Sequence, residues 1–243
     1  MSKRIKFFTI HLLISILIAT IFLVWIIFVW YPLPLFKATG VIHIILLLFT
    51  VDVIMGSLLG LIVYKEGKKT LKFDLIVIIS LQLIALFYGS YHIFQGRPVW
   101  IVFNVDQFEL VRENEIYRQN TYLDKERYAP SLWGPQYIAA KFSSERKIKE
   151  QQMSDDIFNG ISLAQRPESY ISLDQIRDDL SIRGKNLKEL QKFNEITKVS
   201  LVLKDYPEAN AWLPLKSNAI DMVVLINKKT ATVIKIVDLR PWN

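Results

Sequence analysis

The sequence predicts a membrane protein in two parts: a three-helix transmembrane N-terminal region and a C-terminal α+β soluble domain with an antiparallel sheet. Three observations lead there. The apolar stretches Phe7–Trp30, Val41–Tyr64 and Phe73–Phe94 dominate the start of the chain, and each has the ~20 residues with which a helix crosses the hydrocarbon core of a bilayer. No such stretch occurs from Gln95 to Asn243. That second part is charged, rich in turn residues and about the size of one ordinary domain. The expected division is 1–94 for the anchor, with spans 7–30, 41–64 and 73–94, and 95–243 for the soluble domain.

The first span follows Lys3, Arg4 and Lys6. It is longer than the ~7–15-residue apolar core of a signal peptide, and no small-residue cleavage pattern follows it, so it reads as a retained anchor. Trp25, Trp30 and Tyr31 stand at its far end, where an aromatic belt is expected. Tyr31-Pro32-Leu33-Pro34 then ends it, since neither proline continues a helix. Short connections, one ending at Gly40 and one over Lys65–Lys72, make the spans antiparallel neighbours. Lys65, Lys68, Lys69 and Lys72 crowd the second loop, while the first holds only Lys37. Basic residues in short loops stay in the cytoplasm. The expectation is therefore a bacterial inner-membrane protein with a cytoplasmic N-terminus and a periplasmic C-terminal domain. The formal net charge of +7 fits contact with anionic membrane lipids, not nucleic acid. With no cysteine, disulfides are excluded.

Gly96-Arg97-Pro98 marks the exit from the membrane. Val99–Val105 is apolar on both faces and reads as a central strand, which Phe108–Val111 extends after a turn. Arg112 to Gly160 is polar and mostly helical in composition, interrupted at Pro130 and Gly134-Pro135, with a surface helix over Ser143–Ile157. Ser172 is a good N-cap for Leu173–Leu180, and Gly184 separates that helix from another over Asn186–Ile196. Val199–Leu203 alternates as a strand does, and Asp221–Ile226 and Ala231–Val237 flank a hairpin turn at Asn227-Lys228-Lys229-Thr230.

Asp52 stands near the middle of the second span. A carboxylate there costs about 2.5–3.5 kcal/mol on insertion scales, so it is a functional hypothesis by default. Gly56 and Gly60 follow at i+4 and i+8 in a G-x-x-x-G pattern, and such a face lets another helix approach closely. Gln82 lies at matching depth in the third span, and Ser15 and Thr20 bracket the middle of the first. Two roles are open: Asp52 fixes the packing of the three helices through Gln82 or a serine, or it receives a partner's transmembrane helix. A proton relay is weak, with no second intramembrane acid or base expected in reach.

Catalytic signals are missing. His11 sits near the inner end of its helix and His43 and His92 near the outer ends of theirs, so the three cannot form one metal site. No zinc-protease, redox, nucleophile-elbow or phosphate-cradling motif occurs. The expectation is no catalytic residue, no metal and no cofactor. In the soluble domain Trp100, Trp133, Trp212 and Trp242, together with Arg97 at the membrane exit, are candidates for binding a partner; core filling or contact with the membrane interface is the alternative.

In order along the chain, Trp30-Tyr31-Pro32-Leu33-Pro34, Val51-Asp52-Val53 with Gly56-Ser57-Leu58-Leu59, Arg97-Pro98-Val99-Trp100, Phe103-Asn104-Val105-Asp106-Gln107-Phe108 and Asp238-Leu239-Arg240-Pro241-Trp242 resemble the TfpX/TfpZ family of type IV pilin accessory proteins, also described as FimB-like pilin chaperones. The resemblance runs along nearly the whole chain. It implies a non-enzymatic inner-membrane protein that stabilises or presents a type IV pilin, major or minor, with the pilus assembly platform as a further partner. The chain is not itself expected to be a pilin: Lys6 and His11 stand where the prepilin glycine and glutamate belong. The competing expectation is a membrane-anchored periplasmic sensor, or a subunit of a transport or secretion complex.

Overall fold

Three apolar helices open the computed structural model, which describes residues 2–118 and 129–243. Helix α1 spans Lys3–Trp30, α2 Ile42–Val63 and α3 Leu71–Gln95, and all three are long and apolar enough to cross a membrane. Helix α1 begins four residues before its apolar run and α3 extends past its run at both ends, while α2 stops one residue short of its run at each end. At the start, the Ser2 hydroxyl accepts from the Ile5 N–H at 3.3 Å, satisfying an amide that the helix leaves unpaired.

Two stretches widen to π geometry: Ile26–Trp30 at the end of α1 and Thr50–Met55 inside α2. Both α1 and α3 pack on α2. They meet each other at one end, where Trp30 lies edge-on to Phe94 at 5.2 Å and the Tyr31 hydroxyl donates to the Ile93 carbonyl at 2.7 Å.

The chain divides into two compact units, residues 1–32 with 41–96 and residues 33–40 with 97–243. The second holds a seven-stranded sheet in the order β4-β3-β1-β2-β5-β6-β7. Its strands are β1 Pro98–Asn104, β2 Gln107–Arg112, β3 Gln136–Ala140, β4 Tyr170–Ile171, β5 Ala211–Lys216, β6 Met222–Asn227 and β7 Thr232–Val237. The sheet is mixed: β1 runs parallel to β3 and β2 to β5, and the other pairings are antiparallel. Strand β1 is central, as its two apolar faces require. Ile101 and Phe103 enter one core cluster, and Val99 and Val102 another.

Helices α4 (Arg146–Asn159), α5 (Arg177–Arg183) and α6 (Ile196–Lys204) complete this unit. Leu180 of α5 joins the cluster of Ile101 and Phe103. Val199 of α6 joins a third cluster with Trp212, Val223 and Leu225.

Several expectations are corrected. Val199–Leu203 is helical, not a strand. Ile196, Val199 and Leu203 fall on one helix face as readily as a short run alternates, and packing on β5 and β6 decides. Asn186–Ile196 is a 3₁₀ turn over Leu187–Lys192, which the Asn186 side chain caps, and not a full helix. Ser172 does cap, accepting from Asp174 N–H, but a 3₁₀ turn over Leu173–Ile176 precedes α5. β3, β4 and β5 have no counterpart among the sequence-based expectations. The helical character expected for 112–160 falls partly on 119–128, outside the described residues.

The connection between the first two spans belongs to the sheet unit. Leu35 and Ala38 are buried in its core cluster. The Ala38 carbonyl accepts from Ala219 N–H at 2.9 Å, Ile220 N–H at 3.2 Å and the Ser217 hydroxyl at 3.2 Å. Lys37 Nζ pairs with Asp238 at 2.7 Å. Gly40 has a φ of +69°, and a Cβ there would lie 2.9 Å from the Ala219 Cβ, so only glycine fits.

Candidate functional site

Asp52 lies in the π segment of α2, and this local geometry makes the site. A π turn breaks the regular i→i−4 ladder and leaves a carbonyl available for another partner. Gln82 of α3 takes it: its Nε2 donates to the Asp52 backbone oxygen at 2.7 Å. The expected Asp52–Gln82 contact therefore exists, but it reaches the main chain, not the carboxylate. Gly56 makes it possible. A Cβ at Gly56 would sit 1.9 Å from Gln82 Nε2 and 2.2 Å from its Cδ, so the amide crosses where a side chain would be.

Gly60, one turn on, faces the other neighbour. A Cβ there would lie 3.1 Å from Cε1 of Phe7 in α1. The two glycines of the G-x-x-x-G pattern thus seat this chain's own helices, Gly56 under α3 and Gly60 under α1.

That leaves the Asp52 side chain. Both carboxylate oxygens are buried without a hydrogen-bond partner among the described residues, and so are Gln82 Oε1, His11 Nδ1 and Ser57 Oγ. Asp52, Gln82 and His11 line one cavity of about 280 Å³ within the three helices. Its walls are the face of α1 carrying Ile14, Ser15 and Ile18 and the face of α3 carrying Ile79, Leu83 and Leu86. Unsatisfied polar groups in hydrocarbon cost several kcal/mol each, so an unpartnered Asp52 carboxylate in an apolar hollow is costly.

His11 corrects the reading that no intramembrane base lies near Asp52, since the two line one cavity. The signal was present: His11, Ser15 and Ala19 are spaced at i, i+4 and i+8, on one helix face. Thr20 points elsewhere and donates to the Ile16 carbonyl of its own helix at 2.8 Å.

The soluble-domain candidates separate by burial. Trp212 is fully buried; its Nε1 donates to the Asn186 carbonyl at 2.9 Å, and Lys185 Nζ lies 5.1 Å from its ring. Trp100 is buried edge-on to Tyr170 at 5.5 Å. Both fill cores. Arg97 is buried too, with Nη2 facing Glu113 Oε2 at 3.4 Å and the Ser131 carbonyl at 3.5 Å.

Trp133 and Trp242 reach the surface, at 74% and 36% exposure. The Trp242 indole donates to Asp221 Oδ2 at 2.9 Å. Sequence reasoning overlooked Arg166, whose guanidinium is buried against Asp155 at 2.5 Å and Glu168 at 3.2 Å, 4.6 Å over the Tyr117 ring. It ties α4 to the strand end.

The family model of fimbrial assembly protein FimB matches residues 1–40. Two fimbrial assembly proteins of Dichelobacter nodosus, of serogroup I and serogroup E1, are each 29% identical over 239 residues, covering 90% of this chain and 89% of theirs. A third, of serogroups C1 and C2, is 36% identical over 109 residues, 44% of this chain and 83% of that protein. No solved structure matches the chain.

Proposed function

Because this chain belongs to the family of fimbrial assembly protein FimB and so has a role in pilus assembly, we propose that it is a non-enzymatic inner-membrane chaperone for a type IV pilin. It holds the unassembled subunit in the membrane until the assembly platform takes it. The observation that carries this reading is the unpartnered Asp52 carboxylate in its mid-membrane cavity. Polar groups retained in lipid at such cost mark a site where a partner satisfies them.

The proposed orientation is N-terminus cytoplasmic and sheet unit periplasmic. Lys65, Lys68, Lys69 and Lys72 favour it. Two contacts are consistent with the required sidedness. Lys3 pairs with Glu66 at 2.5 Å, joining the N-terminus to the second loop. The first loop belongs to the same compact unit as the sheet, which supports a place for both on one side of the bilayer.

Deletion of the gene tests the role. Surface fimbriae and mature pilin should fall well below what the pilin transcript level accounts for. Unchanged piliation and twitching in the deletion strain would overturn the reading.

A further inference from the structure

We propose that one rim of the sheet unit is a lipid-binding surface, whose exposed Leu132, Trp133 and Trp242 side chains enter the headgroup boundary of the bilayer. The inference goes beyond the chaperone reading and does not depend on it. Covalent lengths fix where the rim begins. Arg97 follows the last residue of α3 by two positions, so the chain holds it within about 7 Å of the span's end. The headgroup layer on each side of a bilayer is itself roughly 5–8 Å deep. Leu33 follows the end of α1 by three positions and Gly40 precedes α2 by two, so the loop 33–40 is tethered as closely.

Contacts inside the sheet unit extend the rim from these tethers. Arg97 Nη2 faces the Ser131 carbonyl at 3.5 Å, and the Arg97 carbonyl accepts from Glu113 N–H at 3.0 Å. Glu115, two residues on, accepts from Asn218 Nδ2 at 2.7 Å. Ala219 and Ile220 donate to Ala38 of the loop, and Asp221 accepts from the Trp242 indole. Strand directions agree: β1 and β3 start out from this rim, and β2 and β5 run back toward it.

The exposed side chains of the rim have interfacial chemistry. Trp133 is 74% exposed and Leu132 56%, in the turn that Gly134 closes with a φ of +82°. An indole pairs an apolar body with an N–H, which suits it to the headgroup level. The charges of the rim are paired among themselves: Lys37 with Asp238 at 2.7 Å, Arg97 with Glu113 at 3.4 Å and Arg112 with Glu115 at 2.7 Å. The contact therefore rests on apolar and aromatic groups and not on attraction to anionic lipid. At the opposite end of the sheet, the β6–β7 turn Asn227-Lys228-Lys229-Thr230 offers nothing apolar.

The chain has no cysteine, so one introduced cysteine carries a fluorophore to a single place. Leu132→Cys and Lys229→Cys, each in the full chain, are labelled with nitrobenzoxadiazole. They are reconstituted, at less than one chain per vesicle, in phosphatidylethanolamine and phosphatidylglycerol. Part of the lipid carries a nitroxide, either near the headgroup or near the end of the acyl chain. The probe at Leu132 should lose roughly half or more of its emission to the shallow nitroxide and less to the deep one, as side chains about 5–10 Å into the boundary do. The probe at Lys229 should lose none and stay open to iodide. Vesicles of phosphatidylcholine should give the same result.

Should Leu132→Cys impair folding, Asn243→Cys, at the chain end beside Trp242, takes the same probe and must give the same result. A probe at Leu132 that iodide reaches and neither nitroxide quenches overturns the proposal. So does a probe shielded from iodide yet unquenched by labelled lipid, which marks a protein contact such as a second copy of this chain. Equal quenching at Lys229, or quenching that appears only with phosphatidylglycerol, overturns it as well.

Discussion

Gln82 does its work through a main-chain bond, and that bond depends on a residue with no side chain. The amide passes over Gly56 to reach the Asp52 carbonyl. Gly56→Ala should therefore displace Gln82, break that bond and cost about 1–3 kcal/mol, as overpacking of a fitted contact does. The expected readout is lower abundance in the membrane and earlier thermal aggregation in detergent. Adding Gln82→Ala should restore much of the loss by making room, which a general helix-packing defect would not allow.

Tyr170 offers a second test at this scale. Its hydroxyl donates to the Ala164 carbonyl at 2.7 Å. Burial above all, with the nearby Glu168 and Glu109 carboxylates, pushes its phenol well above the ordinary value. A group with a raised folded-state pKa stabilises fully below its unfolded value, about 10 for tyrosine, and that contribution drains away as pH rises beyond it. Stability of the wild type should thus fall above pH ~10 more steeply than that of Tyr170→Phe. At neutral pH the variant should be less stable by about 1 kcal/mol for the lost hydrogen bond. Near-ultraviolet dichroism across the alkaline range measures both.

Among elements, the connection of residues 33–40 has a larger structural part than its length suggests. Leu35 is buried in the sheet core, while Leu33, two residues before it, is 65% exposed. Leu35→Ala should destabilise the sheet unit by about 2–5 kcal/mol, the cost of a core cavity. Leu33→Ala should change it by less than about 0.5 kcal/mol. Limited proteolysis of the detergent-solubilised chain, followed at sites in 97–243, separates the two. Equal protection of both variants would show that the loop merely touches the sheet.

At the scale of the whole molecule, the proposed topology carries a direct expectation. Alkaline phosphatase fused after Asn243 should be active and fused at Lys68 inactive, because only a periplasmic fusion folds with its disulfides. On this proposal the lysines of the second loop set the orientation. Replacing Lys65, Lys68, Lys69 and Lys72 by Gln should reduce the activity of the C-terminal fusion.

The three spans, the central place of the strand expected at Val99–Val105 and the β6–β7 hairpin were legible in the sequence alone. Each is encoded by a pattern within one short segment: ~20 apolar residues, two apolar faces, or alternating strands about a turn. Asp52, Gly56 and Gln82 were legible as exceptional residues, since the cost of polarity in hydrocarbon needs no knowledge of neighbours. What they touch was not. Only tertiary packing sends Gln82 to the Asp52 backbone, brings His11 into the same cavity and uses both glycines for the chain's own helices. The same reason made a helix of Val199–Leu203, whose five residues satisfy either period until β5 and β6 offer a face to cover. It also placed Leu35 and Ala38 in a core that the chain completes more than sixty residues later, for burial is a property of the assembled surface and not of the segment that supplies the side chain.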